Sequence, residues 1–325
     1  MSAGAPSDRD LDLLVAGEIN PDVVVTDPDP RPVFGQAERL VHGIRLVIGS
    51  SSVITACGAA RLGLRVAMAG VVGDDELGRF MLRAMGERGL DTAPCRVAPG
   101  RTTGASVILG NGQDRAILTA PGTISDLRAE DIPDALLRRA RHLHVGSYYL
   151  QPALTAALPE LFRRARALGV TTSLDPNWDP SERWEGFTDA LAGADLAFPN
   201  ATEACRIARV ADAEAAALAL AAGIGRGGDG DRSAVVVKLG PDGAIAATPD
   251  GRLVRAAAPA VEPVDTTGAG DSFDAGFLAA WLEGRDLADS LRFAVACGSL
   301  STLAVGGTDG QPTRAEADAA LRLSR

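Results

Sequence analysis

Short, almost unbroken apolar runs recur along this chain with helix-length stretches between them, and that alternation constrains the fold more than any other feature. Leu13-Leu14-Val15-Ala16 and Ala234-Val235-Val236-Val237 contain no polar residue, which suits parallel strands covered on both faces. Strands are predicted over Leu11 to Gly17, Arg65 to Gly70, His142 to Gly146, Val170 to Asp175, Leu196 to Pro199 and Ala234 to Gly240, with helices such as Pro152 to Leu168 between them. The expectation is an α/β fold with a doubly wound, mostly parallel sheet flanked by helices. At 325 residues the chain is read as one such domain, 1–325.

Two stretches read as strand followed by strand. Val23 to Ile48 carries a rigid loop at Pro28, Pro30 and Pro32, and Val97 to Ala120 contains Asn111-Gly112, a pair suited to a tight turn. As insertions over about 19–48 and 97–122 they form either a small β lid over the crevice at the strand ends or a pair of edge hairpins. Residues Gly223 to Gly230 read as a surface connection, and the N-terminus as a loose tail.

Charge excludes several function classes. The 32 basic and 42 acidic residues leave a net charge of −10, unlike a sequence-independent nucleic-acid binder, which needs clustered cations. Lys238 is the only lysine and Leu239 follows it, so no Walker A loop exists. Cys57, Cys95, Cys205 and Cys297 form no C-x-x-C pair, and His42, His142 and His144 form no metal set. His142 and His144 share a strand face and read as core or crevice packing, as do Trp178 and Trp184. The longest apolar run, Ala215 to Ile224, is too short to span a bilayer, and the start lacks a signal-peptide pattern. A cytoplasmic protein with no membrane partner is expected.

The strongest local signal is Asp265-Thr266-Thr267-Gly268-Ala269-Gly270-Asp271, a glycine-rich turn running straight into an apolar helix. The first amides of a helix lack internal partners and carry partial positive charge, so Gly268, Ala269 and Gly270 can present N–H groups to a phosphate. A carboxylate at that terminus repels a merely stored anion but can take a proton from an attacking hydroxyl. Asp271 is therefore either a base for phosphoryl transfer or a helix cap.

This run resembles the C-terminal signature of the ribokinase-like, or PfkB-type, carbohydrate kinases. The resemblance extends in order through Gly17-Glu18-Ile19-Asn20-Pro21-Asp22, Ala60-Arg61-Leu62-Gly63, Gly73-Asp74-Asp75-Glu76-Leu77-Gly78, Pro199-Asn200-Ala201-Thr202-Glu203 and Lys238-Leu239-Gly240-Pro241-Asp242-Gly243. It implies a ribokinase-like fold, ATP and Mg²⁺, Asp271 as general base, and the Gly268-Ala269-Gly270 amides as anion hole. Asn200 and Glu203 match the family's N-x-x-E motif, in which Glu203 helps hold Mg²⁺ through water; the same spacing also makes a capping box. Asn200, Lys238, Gly240, Gly243, Cys297 and Ser301 fall at the implied ATP site. Asp265 and Thr267 resemble a monovalent-cation site, for K⁺. Asn20, Asp22, Gly49, Ser50 and Asp175 fall where the family binds its sugar.

Two departures bear on the substrate. Ile54 stands where the family usually has a substrate-touching Asn. In Asp175-Pro176-Asn177-Trp178-Asp179-Pro180, Asp179 replaces the Arg of the D-x-N-x-R stretch of ketodeoxygluconate kinases and fructokinases, removing a carboxylate's partner. A neutral sugar or polyol phosphorylated on a CH2OH is expected. The alternatives are a nucleoside kinase, against which the lid offers Phe34 as its only ring, and a catalytically idle sugar-binding regulatory protein. Apolar lid strands at Val23, Val25, Val41 and Ile44 also suggest pairing with a second copy.

Overall fold

The computed structural model describes residues 9–110, 115–225 and 232–323. The expected N-terminal tail, the Asn111-Gly112 pair and most of the Gly223–Gly230 loop lie outside these residues. The described strands are β1 (Leu11–Ala16), β2 (Pro21–Thr26), β3 (Gly43–Ile48), β4 (Val66–Ala69), β5 (Val71–Gly73), β6 (Arg96–Ala98), β7 (Ala105–Gly110), β8 (Arg115–Ala120), β9 (Ala140–Val145), β10 (Thr171–Leu174), β11 (Leu196–Ala197), β12 (Ala234–Lys238), β13 (Ala244–Ala247) and β14 (Leu253–Ala256).

The main sheet runs β4-β1-β9-β10-β11-β12-β13-β14. Pairing is parallel from β4 to β12 and antiparallel at β13 and β14. Leu14 and Ala16 of β1 enter the core on one face while Leu13 and Val15 enter the other, which is why the run carries no polar residue. No helix among the described residues is long and apolar enough to cross a membrane.

Strand order reverses beside β1, which has β4 on one side and β9 on the other, and the loops after β1 and β9 part there. The helix Ser51–Arg61 points its first turn into this opening. A Cβ on Gly17 would lie 1.9 Å from Ser52 Oγ, and one on Gly146 would lie 2.4 Å away, so both loops need glycine for the helix to enter.

A second sheet, β3-β2-β7-β8, holds the strands of the expected lid as two antiparallel hairpins joined by parallel β2–β7 pairing. The structure trims the expected second insertion: β6 pairs with β5 in a separate ribbon, so this part of the lid starts at Ala105 and not at 97. The expected helix over Pro152 to Leu168 is also divided, into Pro152–Thr155 and Leu158–Ala167. Pro159 lies in the first turn of the second piece, where its missing N–H costs nothing.

Candidate active site

Gly268 starts the helix Ala269–Leu282 from a left-handed conformation with φ 73°, and a Cβ there would come within 2.7 Å of Gly307 Cα. Glycine is required on both counts. It supplies no side-chain cap, so the first-turn amides stay open. The Ala269 N–H turns to the Thr266 carbonyl at 3.3 Å, a long bond with which an arriving anion competes. Asp265 fixes the loop by accepting the N–H groups of Thr267 and Gly306, both at 2.9 Å.

Gly268, Ala269, Gly270 and Asp271 line a cavity of about 820 Å³. Asp271 is the third helical residue and Gly268 the N-cap, so the capping role considered for Asp271 belongs to glycine. Burial pushes the Asp271 carboxyl up to about 8; Lys238 opposes that rise, while Asp175 and Glu18 add to it. A base poised near neutral pH suits proton abstraction.

Lys238, at the end of β12, passes beneath Gly270, where a Cβ would lie 3.6 Å from its Nζ. Its ammonium is 2.7 Å from Asp175 Oδ2 and 3.1 Å from Asp274 Oδ2. Lys238 and Asp175 both border the cavity. Asp274 was not anticipated from the sequence. Its position one turn beyond Gly270, on the Asp271 face of the helix, is the only sequence signal that marks it.

Across the same cavity, Asn200 and Glu203 close a reciprocal capping box: Asn200 Oδ1 accepts the Glu203 N–H at 3.0 Å, and Glu203 Oε2 accepts the Asn200 N–H at 2.8 Å. Burial raises the Glu203 carboxyl to about 7, helped by the nearby Asp175. Gly240 and Gly243 line the cavity, with φ 61° and 93°. Cys297 and Ser301 do not. Cys297 is buried against Gly276, and Ser301 donates to the Gly298 carbonyl at 2.8 Å. The helix Leu287–Ser301 and the residue after it present Val295, Gly298, Ser299 and Thr302 instead, the i, i+3, i+4, i+7 stripe.

The second sheet borders another cavity of about 440 Å³, here called the lid cavity, lined by Asp22, Val24, Val47, Ile108 and Gly307 among others, and sharing Pro263 and Thr266 with the first. Asn20 donates to Asp22 Oδ1 at 3.3 Å, and Gly49 leaves room for that carboxylate, since a Cβ would sit 2.2 Å from Oδ1. Ser50, like Asn20 and Gly49, lines neither cavity. Its Oγ is 2.6 Å from the Glu18 carbonyl and 2.9 Å from Glu18 Oε1, and it caps Val53. Glu18, buried and also bonded to Ser52 Oγ at 2.6 Å, braces the helix start, a role that no local sequence pattern marks. Ile54, in the place of the family's Asn, packs under Gly268 and Gly307.

Asn177 donates to Ser147 Oγ at 2.9 Å and Ser51 Oγ at 3.3 Å, which ties its loop to the helix start. Asp179 does not face the crevice. It is 4% exposed and accepts the N–H groups of Ser181 and Trp184 at 2.8 and 2.7 Å. His142 and His144 are buried and bonded to Ser173 at 2.7 and 2.8 Å, in agreement with the packing role. No three His, Cys, Asp or Glu residues among the described residues form a metal-holding group. The polar wall at Asn200 and Glu203 fits an ion that keeps most of its waters, as Mg²⁺ does.

Comparisons with known proteins bear on the family and the fold. The chain is 33% identical to the ATP-dependent ribose-1-phosphate kinase of Halopiger xanaduensis, over 94% of this chain and 96% of that protein. It is 31% identical to the 2-dehydro-3-deoxygluconokinase of Bacillus subtilis, over 83% and 85%. Its fold matches Arabidopsis thaliana ribokinase solved with ribose and ATP, with a TM-score of 0.80, 24% identity, and coverage of 96% and 99%. It also matches an E. coli chain solved with ATP and Mg²⁺, with a TM-score of 0.83, 22% identity and the same coverage. The pfkB family carbohydrate kinase profile matches residues 10–314, and the chain therefore belongs to that family of ATP-dependent sugar kinases.

Proposed function

We propose that the chain transfers the γ-phosphate of ATP to a CH2OH group of a small neutral sugar or polyol held beneath the lid. The observation that carries this reading is the position of Asp271: it stands on the wall of the larger cavity, at the open helix N-terminus beside Gly268, Ala269 and Gly270, and that cavity shares Pro263 and Thr266 with the lid cavity. Asp271 takes the acceptor hydroxyl's proton, and the Gly268, Ala269 and Gly270 amides stabilise charge on the transferring oxygens. Mg²⁺, near Glu203, supplies neutralisation of phosphate charge. Asn20 and Asp22 orient the acceptor's hydroxyls.

Several features support a sugar over a nucleoside. The described lining of the lid cavity contains no aromatic ring, and Phe34 is 95% exposed. The residue matching the Arg of the D-x-N-x-R stretch of ketodeoxygluconate kinases and fructokinases is the buried Asp179, which favours an acceptor without a carboxylate. The reading extends to K⁺ beside Asp265 and Thr267, in the loop that shapes the anion hole, and to a cytoplasmic setting.

The test is ADP release with Mg²⁺ and ATP across pentoses, hexoses, polyols, sugar phosphates, sugar acids and nucleosides, with Asp271→Ala alongside. Acceptor-dependent release that falls by about 10²- to 10⁴-fold in a folded Asp271→Ala variant is expected. Equal release by the variant overturns the base assignment, and release with nucleosides alone overturns the acceptor class.

A further inference from the structure

Two carboxylates share one ammonium beside the anion hole. Lys238 Nζ lies 2.7 Å from Asp175 Oδ2 and 3.2 and 3.1 Å from the two Asp274 oxygens. The three side chains are 13%, 8% and 1% exposed. One cation balances one carboxylate, and a second buried carboxylate left charged is strongly disfavoured, so it takes up a proton instead. Asp175 borders the cavity, whereas Asp274, within the helix Ala269–Leu282, is fully buried and does not line it.

The groups facing Asp271 come from every side of the site: Lys238 at the end of β12, Asp175 after β10, Glu18 after β1, the Ser51 hydroxyl and, one turn along its own helix, Asp274. Glu203 and His144 act on the Lys238–Asp175 pair from further out.

We infer that Asp274 is a positioning residue for phosphoryl transfer: held as a neutral acid, it donates to Asp175 and accepts from Lys238, so that the base works beside one balanced ion pair. Burial, with Asp175 close by, pushes Asp274 well above the ordinary carboxylate range. Burial pushes Asp175 upward, but Lys238, the Asp274 hydrogen bond and His144 together hold that group below its usual value. The network contains a spare. With Asp175 neutralised, Asp274 can release its proton and become the partner of Lys238; with Asp274 neutralised, Asp175 already fills that role.

The inference rests on Asp271 as base, and a cycle of variants tests it separately. The acid limb of the kcat/KM profile for the acceptor is measured in the wild type, Asp175→Asn, Asp274→Asn and the double variant, and each protein's unfolding is measured in denaturant. In both single variants kcat falls but the limb stays at the wild-type pH, because one carboxylate still faces one ammonium. The double variant loses more stability than the two singles together, because Lys238 is left buried without a partner. Had both carboxylates been ionised, each single variant would remove a negative charge and move the limb down by about one pH unit. That shift, or strictly additive stability losses, overturns the inference. Turnover surviving in Asp271→Ala is a different result and sinks the base assignment alone.

Discussion

The carboxylate of Asp179 accepts the backbone N–H of Trp184 at 2.7 Å, five residues along the same loop. Asn177, Glu182 and Trp184 all have positive φ, at 52°, 54° and 57°, an arrangement that persists only where surrounding contacts enforce it. Asp179 supplies part of that enforcement, with Ser181 as its second partner. Asp179→Ala should cost about 1–3 kcal/mol, because the buried Trp184 N–H loses its acceptor. Asp179→Arg, which restores the Arg of the ketodeoxygluconate kinase and fructokinase stretch, should destabilise at least as much and confer no turnover of 2-keto acids. Chemical denaturation and an assay with a keto-deoxy sugar acid check both. Efficient keto-acid turnover by the Arg variant would refute the loop role.

The same residue marks where sequence reading ends. Gly268, Ala269, Gly270 and Asp271 were legible because consecutive residues build the anion hole and place the base on one helical turn. Asn200 and Glu203 were legible for the same reason, since a capping box is local. Cys297 and Ser301 were misplaced because the cavity meets a stripe of the helix that includes the adjacent Gly298 and Thr302. The Asp175–Lys238–Asp274 cluster joins positions 63 and 36 residues apart, and no local pattern announces such a meeting.

Separate substitutions can divide the two roles of the N-x-x-E segment. Gln accepts the Asn200 N–H as Glu does, so Glu203→Gln should keep the helix start and leave stability within about 0.5 kcal/mol. It removes the charge near the phosphates, so the Mg²⁺ concentration for half-maximal rate should rise several-fold. Asn200→Ala should lower stability by about 1 kcal/mol through the lost cap. Mg²⁺ titrations and thermal unfolding on the two proteins give the comparison, and an unaltered Mg²⁺ requirement in Glu203→Gln would remove Glu203 from the metal site.

Protonation of Asp271 should govern the pH dependence. Its carboxyl is raised to about 8 in the free protein, and only the carboxylate can accept the hydroxyl proton. The kcat/KM for the acceptor should therefore rise with pH and level off above about 8. A profile already flat from pH 6 upward would show a base ionised well below that value.

The lid has two chemically different faces, and their register predicts assembly. Leu46, Val23, Val107 and Leu118 lie in one cross-strand row, and Ile44, Val25, Leu109 and Ala116 in the next on that face. The opposite face carries Asp22, Val24, Val47 and Ile108, which line the lid cavity. The first face is wholly apolar along both rows, yet Ile44, Leu118 and Leu46 are 65%, 64% and 42% exposed. An apolar sheet face of this kind is usually covered, and a second copy offers the same self-complementary surface across a two-fold axis. Sedimentation should therefore give a dimer. Leu118→Glu, directed outward and away from the acceptor cavity, should convert it to a monomer with an intact main sheet. A wild-type chain that sediments as a monomer at micromolar concentration would refute the pairing.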